Sequence, residues 1–390
     1  MNSPLCDAAR HLRERLTTWR RHFHAHPELG GQEEQTARFI TGELRTMGYE
    51  PQEHVGGTCA VIATLNVGRP PAIALRADMD ALPVNEETGL DYASQNPGVM
   101  HACGHDAHMA MLLGAAELLM ERRHTLKNSV RLIFQAHEEC RPGGAAPLIE
   151  AGVLDGVTRI FALHIWSEMP TGTLGTRIGP FMSGVTDFRI TVTGRGGHAA
   201  MPQQCVDPIV VGAELVTALQ TVASRSIAMT DHAVLSVTQF HAGSADNVLP
   251  PCAELRGTIR ALNETVRCTV ERRVRELATG VAAAHNASVD IDLLTGHPPL
   301  VNDQETVERA LQAARAVGFQ EEQLLALPIQ GGGEDFACYA QRVPAAFLFL
   351  GARNEAKGCA FPHHHPRFNV DDDALPLGAA LLAQFALDSA

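Results

Sequence analysis

The chain has no CxxC pair and no regular cysteine spacing. Its nine cysteines, at 6, 59, 103, 140, 205, 252, 268, 338 and 359, are odd in number and irregularly placed, which excludes a disulfide framework. Nowhere do about twenty apolar residues run together, and the first thirty residues, rich in Arg and His, hold no apolar stretch of signal-peptide length. The expectation is a cytoplasmic protein with no membrane span. Positive charge is also short, because 31 basic against 44 acidic residues leave a net charge of −13. Nucleic acids and anionic membranes require clustered Lys and Arg, so both are excluded as partners and a small-molecule substrate is expected. Charged residues total only 19% beside 45% hydrophobic ones, which excludes disorder and leaves material for sizeable cores. No internal repeat or low-complexity segment is present.

At 390 residues, two domains are expected. Helical spacing runs over residues 6–24 and 33–47, and short apolar runs at 61–65, 72–77, 130–135 and 160–163 then alternate with helical stretches at 107–121 and 144–151. That alternation points to an α/β fold, a mostly parallel sheet with helices on both faces. Over 187–294 the pattern becomes strand, helix, two strands, helix and strand, the grammar of a compact α+β unit. The α/β alternation resumes at 304–317, 345–350 and 375–387. We therefore divide the chain into a first catalytic segment (1–184), an inserted α+β domain (185–295) and a second catalytic segment (296–390).

In open α/β sheets, ligands bind beyond the carboxyl ends of the strands. The run 72–77 leads to Asp78 and Asp80, 130–135 to His137, Glu138 and Glu139, 160–163 to His164, and 345–350 to the triple His363, His364 and His365. A further loop holds His101, Cys103, His105, Asp106 and His108 just before a helix. Thiolate, imidazole and carboxylate together suit zinc, cobalt, nickel or manganese and not calcium or magnesium, which favour oxygen alone. Taken singly, the loop reads equally as a His-rich helix cap. Of two adjacent glutamates, one can bind a metal while the other stays free to move protons, the division that metal-assisted hydrolysis requires. His164, between Leu163 and Ile165, reads alone as a core histidine, and its expected place at a strand end favours a ligand. Among the three consecutive histidines, spacing does not choose. Gly194 to Pro202 lacks the Lys-Ser/Thr ending of a phosphate loop and is a turn that places His198. The loops 243–250, with Asn247, and 331–336 either line a site or turn the chain.

These residues resemble a known family, the zinc-type amidohydrolases and peptidases that include hippurate hydrolase, bacterial N-acyl-amino-acid amidohydrolases and plant indoleacetyl-amino-acid hydrolases, with aminoacylase and carboxypeptidase G more remote. The resemblance rests on Arg21-His-Phe-His-Ala-His-Pro-Glu-Leu29, Arg76-Ala-Asp-Met-Asp-Ala-Leu-Pro83, His101-Ala-Cys-Gly-His-Asp106, Gln135-Ala-His-Glu-Glu139, Gly194-Arg-Gly-Gly-His198, Gly332-Gly-Glu-Asp-Phe336 and His364-His-Pro-Arg-Phe368. It implies two divalent ions (Zn, Mn, Co or Ni) per subunit, held by Cys103, His105, Glu139, His164 and His364, with Glu138 as general base and acid. The family's His-x-Pro motif, followed by an aromatic, selects His364. The resemblance also implies that 185–295 is a dimerisation and lid domain, that His198 reaches a neighbouring active site and stabilises the oxyanion there, and that Asn247 lies near the substrate, an N-acyl amino acid. A homodimer or homotetramer is expected. One departure stands out: Ala136 and His137 replace the Pro-Ala usual before the two glutamates. The alternatives are a dipeptidase or aminopeptidase of the same architecture, or an inactive metal-binding relative.

Overall fold

The computed structural model describes residues 3–389. They form two compact units, one made of Met1–Gly179, Val301–Pro328 and Asp335–Ala390, the other of Pro180–Leu300 and Ile329–Glu334. The larger unit opens with helices α1 (Pro4–His11), α2 (Arg13–Ala25) and α3 (Glu34–Thr46). Strands β1 (Gln52–Glu53), β2 (Val61–Leu65) and β3 (Pro71–Asp78) follow, then α4 (His105–Glu121), β4 (Ser129–Gln135), α5 (Ala145–Glu150), β5 (Arg159–Pro170) and β6 (Leu174–Thr176). The smaller unit contributes β7 (Gly184–Thr193), α6 (Pro208–Arg225), β8 (Ala233–Ala242), β9 (Cys252–Ala261), α7 (Glu264–Ala284) and β10 (Ser288–Thr295). The larger unit ends with α8 (Gln304–Val317), β11 (Leu324–Ala326), α9 (Ala337–Ala340), β12 (Ala345–Arg353) and α10 (Ala374–Ser389).

The larger sheet runs β1-β2-β4-β3-β5-β12-β6-β11. Its centre, from β4 through β3 and β5 to β12, is parallel, as the near-continuous burial of β4 and β12 requires of strands covered on both faces. The sheet is nevertheless mixed, because β2 joins β4, and β6 joins β12, antiparallel. Helix α4 is buried over most of its surface, which marks it as an interior helix. It packs against α2, α10 and β3, and Gly114 admits Leu16 and Ala379 where a Cβ would stand 2.5 Å from the leucine Cδ2.

One expectation is corrected here. Residue 164 does not follow a strand that stops at 163, since β5 continues to Pro170 alongside β12, with His164 opposite Phe349. The parallel partner extends the ladder past the point where the apolar run alone would end it. Even so, Arg76 pairs with Ala162, so His164 lies two residues further along β5, as the terminal Asp78 does along β3.

In the smaller unit the antiparallel sheet runs β8-β9-β7-β10. Alternation places Phe188, Ile190, Val192, Leu255 and Ile259 in a core with Val211, Leu215 and Leu219 of α6 and Val266, Val270 and Val274 of α7. Each helix is started by its own cap: Asp207 Oδ1 accepts from Ile209 N at 2.9 Å, with Pro208 next, and Asn263 Oδ1 accepts from Val266 N at 2.8 Å.

Candidate metal centre

At the carboxyl ends of the central strands, the larger unit gathers the side chains singled out by sequence. Gly104, at φ 92, closes the loop after β3 and starts α4 at His105. The Nδ1–H of His105 donates to the Asp80 carbonyl at 2.8 Å, which directs Nε2 toward Asp78 Oδ2 (3.7 Å) and Glu139 Oε1 (3.8 Å). His164 is tied in the same way, its Nδ1–H donating to the Ile165 carbonyl at 2.6 Å and its Nε2 standing 3.6 Å from Cys103 Sγ. His364, at φ 66, donates its backbone N–H to the Ala102 carbonyl at 2.7 Å and brings Nε2 to 3.5 Å from Glu139 Oε1. Its neighbours are engaged elsewhere. His363 contacts the Ile165 carbonyl and Ser167 Oγ, while His365 Nδ1 accepts from Arg367 N.

The donor atoms of Cys103, His105 and His164 lie within 4.8 Å of one another, as do those of Cys103, Glu139 and His364. The two trios share the cysteine. His105 Nε2 and Glu139 Oε1 are buried and have no hydrogen-bond partner among the described residues, which fits atoms that serve as metal donors. A thiol, three imidazoles and a carboxylate fit a borderline divalent metal. The electrostatics agree. Burial opposes charge on His105, but Asp78, Asp80 and Glu139 outweigh it and lift the imidazole to about 10. Burial, followed by Glu139, Glu138 and Asp78, pushes the Cys103 thiol well above its ordinary range. This anionic cluster favours positive charge, and protons take up that charge when only protein groups are counted.

Glu138 is buried beside these donors, and its Oε1 accepts the Asp335 N–H at 3.3 Å. Glu139 N donates to Asp80 Oδ2 at 2.8 Å, so the two adjacent glutamates have different attachments. His137, the residue that departs from the family pattern, adopts φ 65 and donates its N–H to Glu33 Oε1 at 2.8 Å.

His198 and Asn247 lie in the smaller unit, both exposed. Although 49 positions apart, they are adjacent: His198 pairs with Val248 across a short antiparallel ladder, and Ala199 N donates to the Asn247 carbonyl at 3.1 Å. His198 Nδ1 accepts the Ala200 N–H at 3.1 Å, which leaves the proton of the neutral ring on Nε2.

Asp78, Asp106 and His108, named among the strand-end and loop groups, and Arg20, His24 and Arg76 form a buried surround whose pairings no local spacing announces. His108 donates from Nδ1 to Asp78 Oδ1 at 2.5 Å and accepts the Ile165 N–H on Nε2 at 2.8 Å, so neither nitrogen is open to a metal. Asp78 also takes Arg76 Nη1 at 2.6 Å. Arg20, His24 and Asp106 form a second buried group, in which Asp106 Oδ2 receives Arg20 Nε at 3.1 Å and His24 Nδ1 at 2.8 Å. Arg76, Asp78, His24 and Asp106 lie inside the quoted motifs, and Arg20 and His108 just outside them. The available signal was a charged residue flanked by apolar neighbours, which signifies burial with a partner.

Comparison with known proteins shows the family. The chain is 39% identical over 380 residues to thermostable carboxypeptidase 1 of Saccharolobus solfataricus, covering 96% of each chain. It is 45% identical over 292 residues to the N-acyl-L-amino acid amidohydrolase of Geobacillus stearothermophilus, covering 74% of this chain and 78% of the relative. A crystal structure of a dinuclear metal-binding M20 peptidase from Bacillus subtilis superposes with a TM-score of 0.84 at 36% identity, over 97% of this chain and 98% of that one. Residues 74–388 match the model of peptidase family M20/M25/M40. With the fold, the clustered donors and the matched span in agreement, the chain belongs to the M20/M25/M40 peptidase family and is a metal-dependent hydrolase.

Proposed function

We propose that the protein hydrolyses the amide bond of N-acylated amino acids, releasing a carboxylic acid and a free amino acid. The observation that carries this reading is the pair of donor trios sharing Cys103, with the buried carboxylate of Glu138 beside them. Cys103, His105 and His164 would hold one ion, and Cys103, Glu139 and His364 the other, drawn from Zn, Mn, Co or Ni. Such ions, when bound, lower the pKa of water to around 7 and polarise a carbonyl oxygen.

The remaining chemistry falls to the chain. Glu138 takes a proton from water as the water oxygen bonds to the amide carbon, then delivers it to the departing nitrogen as the C–N bond breaks. His198 is assigned to the oxyanion of a neighbouring active site, supported by the proton on its exposed Nε2. Asn247, its neighbour, is assigned to the substrate. The names of relatives support the substrate class, since one is an N-acyl-L-amino acid amidohydrolase and another an N-acetylcysteine deacetylase. The Saccharolobus relative's name supports a second reading, removal of the last residue of a peptide.

The proposal places the enzyme in the cytoplasm as a homodimer or homotetramer. Among the described residues no disulfide joins the nine cysteines, and no helix is long and apolar enough to cross a membrane. The deciding experiment assays benzoyl, acetyl, long-chain acyl and indoleacetyl amino acids beside free-amine and N-blocked dipeptides, with each of the four metals, on the parent and Glu138→Gln. Turnover of acylated amino acids, reduced to slow residual hydrolysis in the variant while bound metal is retained, is expected. Cleavage of peptides alone would replace the first reading with the second.

A further inference from the structure

We propose that Asp335 is a positioning residue that aims the Glu138 carboxylate, anchored for that task by Arg76 and Gln135. The inference rests on the reading of Glu138 as general base. The Glu138 carboxylate accepts a backbone amide, from Asp335 N to Oε1 at 3.3 Å. A backbone donor is only as well aimed as its residue is fixed, and residues 331–333 just before it are all glycine. What fixes residue 335 is its own side chain.

Asp335 is fully buried. Its Oδ1 receives Arg76 Nη2 at 2.9 Å and Gln135 Nε2 at 2.8 Å, and its Oδ2 receives Gln135 Nε2 at 2.7 Å and the backbone amides of Gly144 and Ala145, each at 3.0 Å. The backbone at 144 can approach this closely only without a side chain, because a Cβ there would stand 1.8 Å from the Ala136 carbonyl oxygen. The anchors are themselves held. Gln135 Oε1 accepts from Arg76 Nε at 3.1 Å and Tyr339 OH at 3.0 Å, and Arg76 Nη1 reaches Asp78 at 2.6 Å. Asp78 in turn bonds His108, which takes the amide beside His164. One buried chain of charge-assisted bonds therefore runs from the amide that aims the base to the backbone that carries a proposed ligand.

A carboxylate serving only to neutralise Arg76 would not need to present its own amide to Glu138. Here a single residue does both, so its orientation is transmitted to Oε1. Misplacing a reacting group by about 1 Å costs on the order of 100-fold in rate.

The test is a double-mutant cycle on metal-loaded protein, combining Asp335→Asn with Glu138→Gln, each protein scored for folding by circular dichroism, bound metal, kcat and KM. Asp335→Asn should lower kcat roughly 10- to 100-fold while KM stays within about 3-fold and metal content is unchanged. In the Glu138→Gln background, where slow residual hydrolysis is followed by chromatography, the same change should cost less than about 3-fold, because nothing is left to aim. If Asp335→Asn does not fold, Gln135→Met, which removes the amide donor at similar volume, takes its place with the same pattern at smaller amplitude. An unchanged kcat, a loss explained by missing metal, or an equal loss in both backgrounds overturns the proposal. Near-parental turnover by Glu138→Gln alone overturns instead the reading of Glu138, so the two failures are distinguishable.

Discussion

Gly104 faces Ile165 so closely that a Cβ on residue 104 would stand 2.2 Å from the isoleucine Cγ2. The glycine separates two proposed ligands, Cys103 and His105, and the isoleucine follows a third, His164. Contact between backbone and β5 is therefore part of how the donors meet.

Gly104→Ala meets two penalties. At φ 92 an alanine is strained by about 1–3 kcal/mol, and its methyl must displace a buried isoleucine, an overpacking cost of about 1–3 kcal/mol. We expect a lower midpoint of denaturation and fewer bound ions per chain, read by chemical unfolding and elemental analysis. A variant matching the parent in both would show that this contact does not position the ligands.

Metal uptake should release protons. On the protein groups alone, the His105 imidazole titrates at about 10 and the Cys103 thiol well above its usual range, so both are protonated at pH 7. Metal ligands must be deprotonated, and about two protons per chain should appear when apoprotein takes up metal at that pH. A lightly buffered solution with an indicator dye measures this directly. Full uptake without acidification would remove these two residues from the ligand set.

Stability should depend on pH through His24. Burial opposes its charge, yet Asp106 and Glu86 outweigh this and raise its pKa in the folded protein. A group raised on folding contributes fully below its unfolded value, about 6.5, and loses that contribution as pH rises through the folded value. His24→Gln should therefore destabilise by roughly 3–5 kcal/mol at pH 6, where a buried charged partner is lost. The gap from the parent should narrow at pH 9. A gap that is constant or wider at pH 9, measured by urea unfolding, would contradict a charged His24.

Much of the site was legible because its chemistry comes in short local motifs. Cys103 and His105 are two positions apart, and Glu138 and Glu139 are adjacent, so neighbouring residue types already specify a soft, anionic cluster. Alternating apolar runs likewise specified a mostly parallel sheet, since hydrophobic periodicity is a local property. The antiparallel joins of β2 to β4 and β6 to β12 were not legible, because a two- or three-sided neighbourhood in a sheet leaves no distinct mark on each strand.

Other features were decided only by folding. Spacing near residues 363–365 does not say which histidine turns inward, and only the resemblance pointed to His364; the hydrogen bond of His364 N to Ala102, more than 250 positions earlier, is what seats that segment. Arg76 and Asp335 meet across 259 positions, and no spacing rule reaches that far. The sequence by itself determined which donors exist and which metals they suit, because those are properties of side-chain type. Tertiary structure decided their distances, their tautomers and their buried partners, because sheet register and packing alone bring remote segments within hydrogen-bond reach.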